Sequence, residues 1–137
     1  MKKTMRRTLC LLLSLACIVS MSVTFAYASE ASKNEFFRYT GIASVAAGLT
    51  INSAGCATCT GDTIINSGYS VNLTMELQRD GSTIKTWSKS GSTIVSLSKD
   101  HYVTSGHNYQ VVTSVDVYNS KGAYVATYSC TSNVKSY

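Results

Sequence analysis

Proline is absent from all 137 residues, charged residues make up only 14%, and there is a single tryptophan. The lack of proline excludes a sortase-type anchoring motif, which requires one. Four of the twelve basic residues (Lys2, Lys3, Arg6 and Arg7) stand in the first seven positions, so the remainder sets eight basic residues against seven acidic ones. A balance near +1 supplies no electrostatic footprint for a nucleic-acid backbone or an anionic membrane surface. Three further features are missing: a Gly-rich phosphate loop, a Gly-x-Ser-x-Gly elbow, and any window after residue 34 with apolar residues at helical spacing over three turns. Nucleotide chemistry and a hydrolase of the elbow type lose their sequence basis.

What is present begins with an export signal. The basic n-region is followed by an apolar stretch over residues 9–23, and Ala26-Tyr27-Ala28 places small residues where a signal peptidase needs them. The expected cut lies between Ala28 and Ser29, with a cut after Ala26 as the second choice. An uncleaved anchor and a lipoprotein at Cys17 are weaker alternatives, because the apolar stretch ends in a good cleavage site and continues well beyond Cys17. Cleavage leaves 137 − 28 = 109 residues, enough for one domain that hides about two-thirds of its unfolded surface. Residues 29–35 are polar and are expected to be a flexible tail.

From there the pattern is alternation with period two, the signature of half-buried strands. Val71, Leu73, Met75 and Leu77 share one face, with Asn72, Thr74, Glu76 and Gln78 on the other. Asp80-Gly81 supplies the positive φ angles of a tight hairpin and returns the chain into a strand over 83–88, anchored by Ile84 and Trp87. Tyr109, Val111, Thr113, Val115 and Val117 form another inward face, and Asn119-Ser120-Lys121-Gly122 turns it into a strand over 123–131. Weaker strands fall at 44–52, 56–60 and 93–99. About seven strands separated by short turns predict an all-β, antiparallel two-sheet sandwich of immunoglobulin-like or fibronectin-III-like type. On the last strand, strict alternation sets Val125 and Thr127 on one face and Tyr124, Tyr128 and Cys130 on the other.

The segments Ala54-Gly55-Cys56-Ala57-Thr58-Cys59, Leu77-Gln78-Arg79 with Lys85-Thr86-Trp87-Ser88, and Gly106-His107-Asn108-Tyr109-Gln110-Val111 with Val117-Tyr118 belong together with Ser132 and the final Lys135-Ser136-Tyr137. In this combination they resemble small secreted β-sandwich proteins of Gram-positive bacteria. The resemblance spans most of the chain after the signal and implies secretion, a bacterial source and an Ig-like fold. It implies no catalytic residue. Gln110 stands where those proteins usually carry Arg.

Cys10 and Cys17 leave with the signal, so Cys56, Cys59 and Cys130 remain. An odd number requires at least one free thiol or an intermolecular bond. Cys59 is in phase with Ala57 and is expected to be a buried thiol. Either Cys56 and Cys130 form a bridge across 74 residues, contributing up to about 4 kcal/mol in a chain-entropy account, or both stay reduced. A redox Cys56-x-x-Cys59 pair lacks a following helix, and a zinc site adding His101 or His107 lacks a second cysteine pair. No metal or cofactor is expected.

Catalysis lacks a constellation. The carboxylates show no paired spacing, and adjacent Asp100 and His101 point apart on a strand. The aromatics are more suggestive: Tyr118 and Tyr124 flank the last hairpin near Lys121, and with Tyr128 they are expected to form an outward patch for a cell-wall glycan or an extracellular protein partner. Cross-strand pairing that only stabilises the sheet is the competing account. The expected role is a secreted, non-enzymatic Ig-like binding module with no nucleic-acid partner and no membrane attachment after cleavage. A secreted toxin or bacteriocin-like effector is the alternative.

Overall fold

The computed structural model describes residues 39–137. The expected signal, its cleavage site and the tail over 29–35 lie outside the described residues. Alternating sequence becomes strand almost throughout: β1 Ile42–Ile51, β2 Cys56–Ile65, β3 Tyr69–Arg79, β4 Ser82–Gly91, β5 Ile94–Tyr102, β6 Asn108–Asn119, β7 Tyr124–Thr131 and the short β8 Lys135–Ser136. All pairings are antiparallel, and they make two sheets, β1-β2-β5 and β4-β3-β6-β7, with β8 joined to the start of β6. The protein is an all-β, antiparallel two-sheet sandwich. β4 pairs with β3 and not with β5, the arrangement that separates fibronectin-III-like domains from the constant-type immunoglobulin order.

The core is the set of inward residues of both sheets. Ala57, Cys59, Val95 and Leu97 from one sheet meet Val71, Leu73, Met75, Leu77, Val111, Val115 and Val117 from the other, all buried. Fully burying one such Val, Leu or Met side chain is worth about 1.5–3 kcal/mol. At Gly61 the two sheets lie so close that a Cβ would stand 2.7 Å from Thr113 Oγ1 and 3.4 Å from Met75 Sδ. A glycine is therefore retained within β2. The sequence reads Gly61-Asp62 as a place to stop, whereas β2 runs on through it to Ile65.

Two devices at strand starts and turns hold the frame. Asp80 (φ 50°) and Gly81 (φ 82°) form the tight β3–β4 turn. Tyr109, buried at the start of β6, donates its hydroxyl to Thr104 O at 2.7 Å and accepts from Thr104 N at 3.2 Å. This is the tyrosine corner of sandwich domains, built between the fifth and sixth strands.

Candidate functional site

Three connections meet at one pole: residues 66–68 between β2 and β3, 92–93 between β4 and β5, and 120–123 between β6 and β7. Together with the strand ends they enclose an open groove of about 800 Å³. Its apolar walls are Ile64 and Ile94, 48% and 65% exposed, which face each other across the β2–β5 register, and the ring of Tyr69. Its rim is polar, with Ser67, Ser92, Thr93, Asn119 and Ser120. An apolar floor with a ring of hydroxyls and amides is the chemistry of an orienting binding site.

The β6–β7 turn at this pole is tightly organised. Asn119 Oδ1 accepts from Lys121 N and Ala123 N, both at 3.0 Å, and Asn119 N donates to Ala123 O at 2.9 Å. Lys121 is exposed at the tip. Immediately beside it Tyr118 and Tyr124 are register partners on the outer sheet face, their rings edge-to-face with centroids 6.1 Å apart. Tyr124 is 61% exposed and its hydroxyl lies 3.0 Å from Thr127 Oγ1, which in turn donates to Asp116 Oδ1 at 2.5 Å.

Tyr128 does not belong to this patch. The register skips from Val117↔Ala126 to Tyr118↔Tyr124, so Val125 is an extra residue, a β-bulge. One inserted residue reverses the parity of everything beyond it. Thr127 therefore joins Tyr124 on the outer face, while Val125 and Tyr128 turn inward and pack on the core. Tyr128 packs against Tyr39 with the ring planes tilted by 50° and centroids 4.4 Å apart, and its hydroxyl accepts from Thr40 N at 2.8 Å. It closes the β1–β7 side of the sandwich.

Cys56, Cys59 and Cys130 are all free, and the Cys56–Cys130 bridge weighed from sequence is not formed. Cys56 begins β2 on the outer face of its sheet, out of phase with buried Ala57, whereas Cys130 lies on the other sheet opposite core residue Thr113. Cys59 is fully buried. Burial pushes its thiol up to about 11, helped by the charge of Asp100 and by Cys56. Among the described residues no three His, Cys, Asp or Glu side chains come together to hold a metal ion.

Asp100 and His101 point to opposite faces of β5: Thr58 Oγ1 donates to Asp100 at 2.7 Å, and His101 lies edge-on to Trp87. The acid and imidazole that do meet are 27 residues apart, Asp80 Oδ2 and His107 Nδ1 at 2.6 Å, at the opposite pole. Asp80 Oδ1 also accepts from Asn108 N. That amide bond, then the His107 bond, holds the Asp80 carboxyl below its ordinary value. Among the described residues no hydroxyl or thiol bonds the remaining nitrogen of His107, and the pair fastens the turn to the start of β6. Sequence reading missed this pair, although the β3–β6 alignment, which sets Arg79 opposite Tyr109, already brings Asp80 beside Asn108. Gln110 donates Nε2 to Gln78 Oε1 of the adjoining strand at 2.7 Å.

No protein-family model matches the chain, and no curated protein matches it either.

Proposed function

We propose that the chain is an exported, non-enzymatic Ig-like binding module that takes a cell-wall glycan or an extracellular protein partner at its three-loop pole. The observation that carries this reading is the groove itself. Three independent turns present exposed Ile64 and Ile94 inside a polar rim, with the Tyr118–Tyr124 pair and Lys121 on its flank. Isoleucines exposed to this degree gain by being covered, at roughly 25 cal/mol for each Å² of apolar surface removed from water. The tyrosine rings add flat amphipathic surface suited to a sugar ring or a partner's side chain.

Co-sedimentation of the protein with purified bacterial cell walls, run alongside thermal unfolding, tests the reading. Tyr124→Ala is expected to weaken binding by about 1–3 kcal/mol, the range of an interface anchor, with little change in melting temperature. A lowered melting temperature with unchanged sedimentation would assign Tyr124 to sheet stability alone and remove the tyrosine pair from the proposed surface.

A further inference from the structure

We propose that the open side of the sandwich, between edge strands β4 and β5, is a binding strip for an anionic polysaccharide. The site is separate from the three-loop pole and does not depend on its role.

The strip follows from the register. Lys85, Trp87 and Lys89 pair with Leu77, Met75 and Leu73, so they stand on the face of β4 that looks across to the other sheet. From β5, Lys99 and His101 pair with Cys59 and Ala57 and look back. Three of the six Lys and Arg residues among those described thus converge on one side of the molecule. A domain charge near +1 conceals this one-sided distribution.

None of the described carboxylates answers it. Asp62 and Asp100 lie on the outer face of one sheet, Glu76 and Asp116 on the outer face of the other, and Asp80 is tied to His107. Lys89 bridges the two edges by donating to Ser96 O at 3.2 Å, and Lys85 and Lys99 remain exposed.

Between the lysines sits Trp87, partly buried, its ring edge-on to His101 with centroids 6.4 Å apart. A fixed, partly exposed indole between cations offers stacking to a sugar ring while the ammonium groups meet its acidic substituents. Lys85 and Lys89 are four residues apart on a strand, about 14 Å at a rise of ~3.4 Å per residue. That spread suits charges distributed along a chain better than one compact anion. A nucleic-acid strand would want several stacking platforms, and the strip has one indole.

Lysines on edge strands also oppose sheet-to-sheet aggregation. That role alone predicts altered solubility in their absence and no saturable ligand, so the two accounts separate by experiment. Trp87 is the protein's single tryptophan, and its fluorescence reports on the strip directly. Titration with sodium polygalacturonate at low salt is expected to give a saturable emission change. Fully methyl-esterified polygalacturonate should give none, and raised salt should abolish the response. Lys85→Gln and Lys99→Gln, which break no side-chain hydrogen bond among the described residues, should each weaken binding by about threefold to fivefold. Tyr124→Ala should leave this titration unchanged, whatever it does to cell-wall sedimentation. Absence of saturable binding, or unaltered affinity in the double lysine variant, would overturn the proposal. Tighter binding of long-chain polyphosphate or single-stranded DNA than of polygalacturonate would overturn the assignment to a polysaccharide.

Discussion

At the scale of single residues, Cys59 shows what burial does to chemistry. Its phase with Ala57 is readable from the sequence, and the structure adds the electrostatic cost of ionising it there. The folded thiol titrates at about 11 against an ordinary value near 9, because burial, then Asp100, then Cys56 disfavour the thiolate. A thiol whose value is raised in the folded state leaves stability intact below its unfolded value. The stability falls as pH rises from about 9 through about 11, where the unfolded chain ionises first. Denaturant unfolding at a series of alkaline pH values should show this loss in the parent and a shallower loss in Cys59→Ala, with tyrosine and lysine titrations common to both. At neutral pH iodoacetamide should label Cys56 and Cys130 in the native protein, and Cys59 only after denaturation. Rapid native labelling of Cys59 would contradict its burial.

At the scale of elements, the hairpin at Asp80-Gly81 tests turn chemistry and charge together. Asp80 adopts φ 50°, a conformation that Asp and Asn tolerate and Ala resists, and its carboxylate also holds Asn108 N and His107. Melting temperatures should rank parent above Asp80→Asn above Asp80→Ala, since Asn keeps the backbone tolerance and loses the charge. The Asp80 carboxyl lies below its ordinary 3.8, so its contribution is present above that value and disappears as pH falls through the lower folded one. Asp80→Asn should lack that part of the acid dependence in a pH series of thermal scans.

This hairpin, the alternation of β3 and β6, and the two-sheet class were legible because period, propensity and turn residues agree at those places. Three kinds of feature were not. The bulges opposite Val117–Tyr118 and Leu77–Gln78 each add one residue without any mark in composition, which is why Tyr128 reads outward in sequence and points inward in the fold. The passage of β2 through Gly61-Asp62 depends on how near Thr113 lies in the other sheet, a long-range fact. β8 is too short to show a period at all. For the site, Tyr118, Tyr124 and Lys121 could be found by their nearness to one turn, whereas Ile64 and Ile94 come together only through the β2–β5 register.

At the scale of the whole molecule, the two poles divide the work. One is fastened. There Tyr109 anchors the chain between β5 and β6, Asp80 meets His107, and the backbone of Tyr137 pairs with residues 106–107. The Tyr137 ring lies against Gly55 and its hydroxyl donates to Ser53 O, so this segment reaches from the sheet of β6 to the β1–β2 turn of the other sheet. At the three-loop pole Ile65 N donates to Thr93 O at 2.8 Å, and among the described residues no side-chain hydrogen bond joins the β2–β3 or β4–β5 connection to the β6–β7 turn. A fastened pole lets the loops opposite vary or adapt to a ligand without loosening the core. Removing residues 134–137 deletes the Tyr137 backbone bonds and its contact across the sheets, and should lower stability by on the order of 2 kcal/mol, about 0.5–1.5 for each hydrogen bond lost. Amide exchange should quicken at residues 106–109 and stay slow at Val115 and Val117. Cell-wall sedimentation below the shortened protein's melting temperature should match the parent, because the groove and Tyr124 sit at the far end. Ile94→Ser should do the opposite, reducing sedimentation while leaving the melting temperature and the exchange pattern near those of the parent, since Ile94 is largely exposed. If removing residues 134–137 abolishes sedimentation while the fold persists, the binding surface lies at the fastened pole and the division between the poles fails.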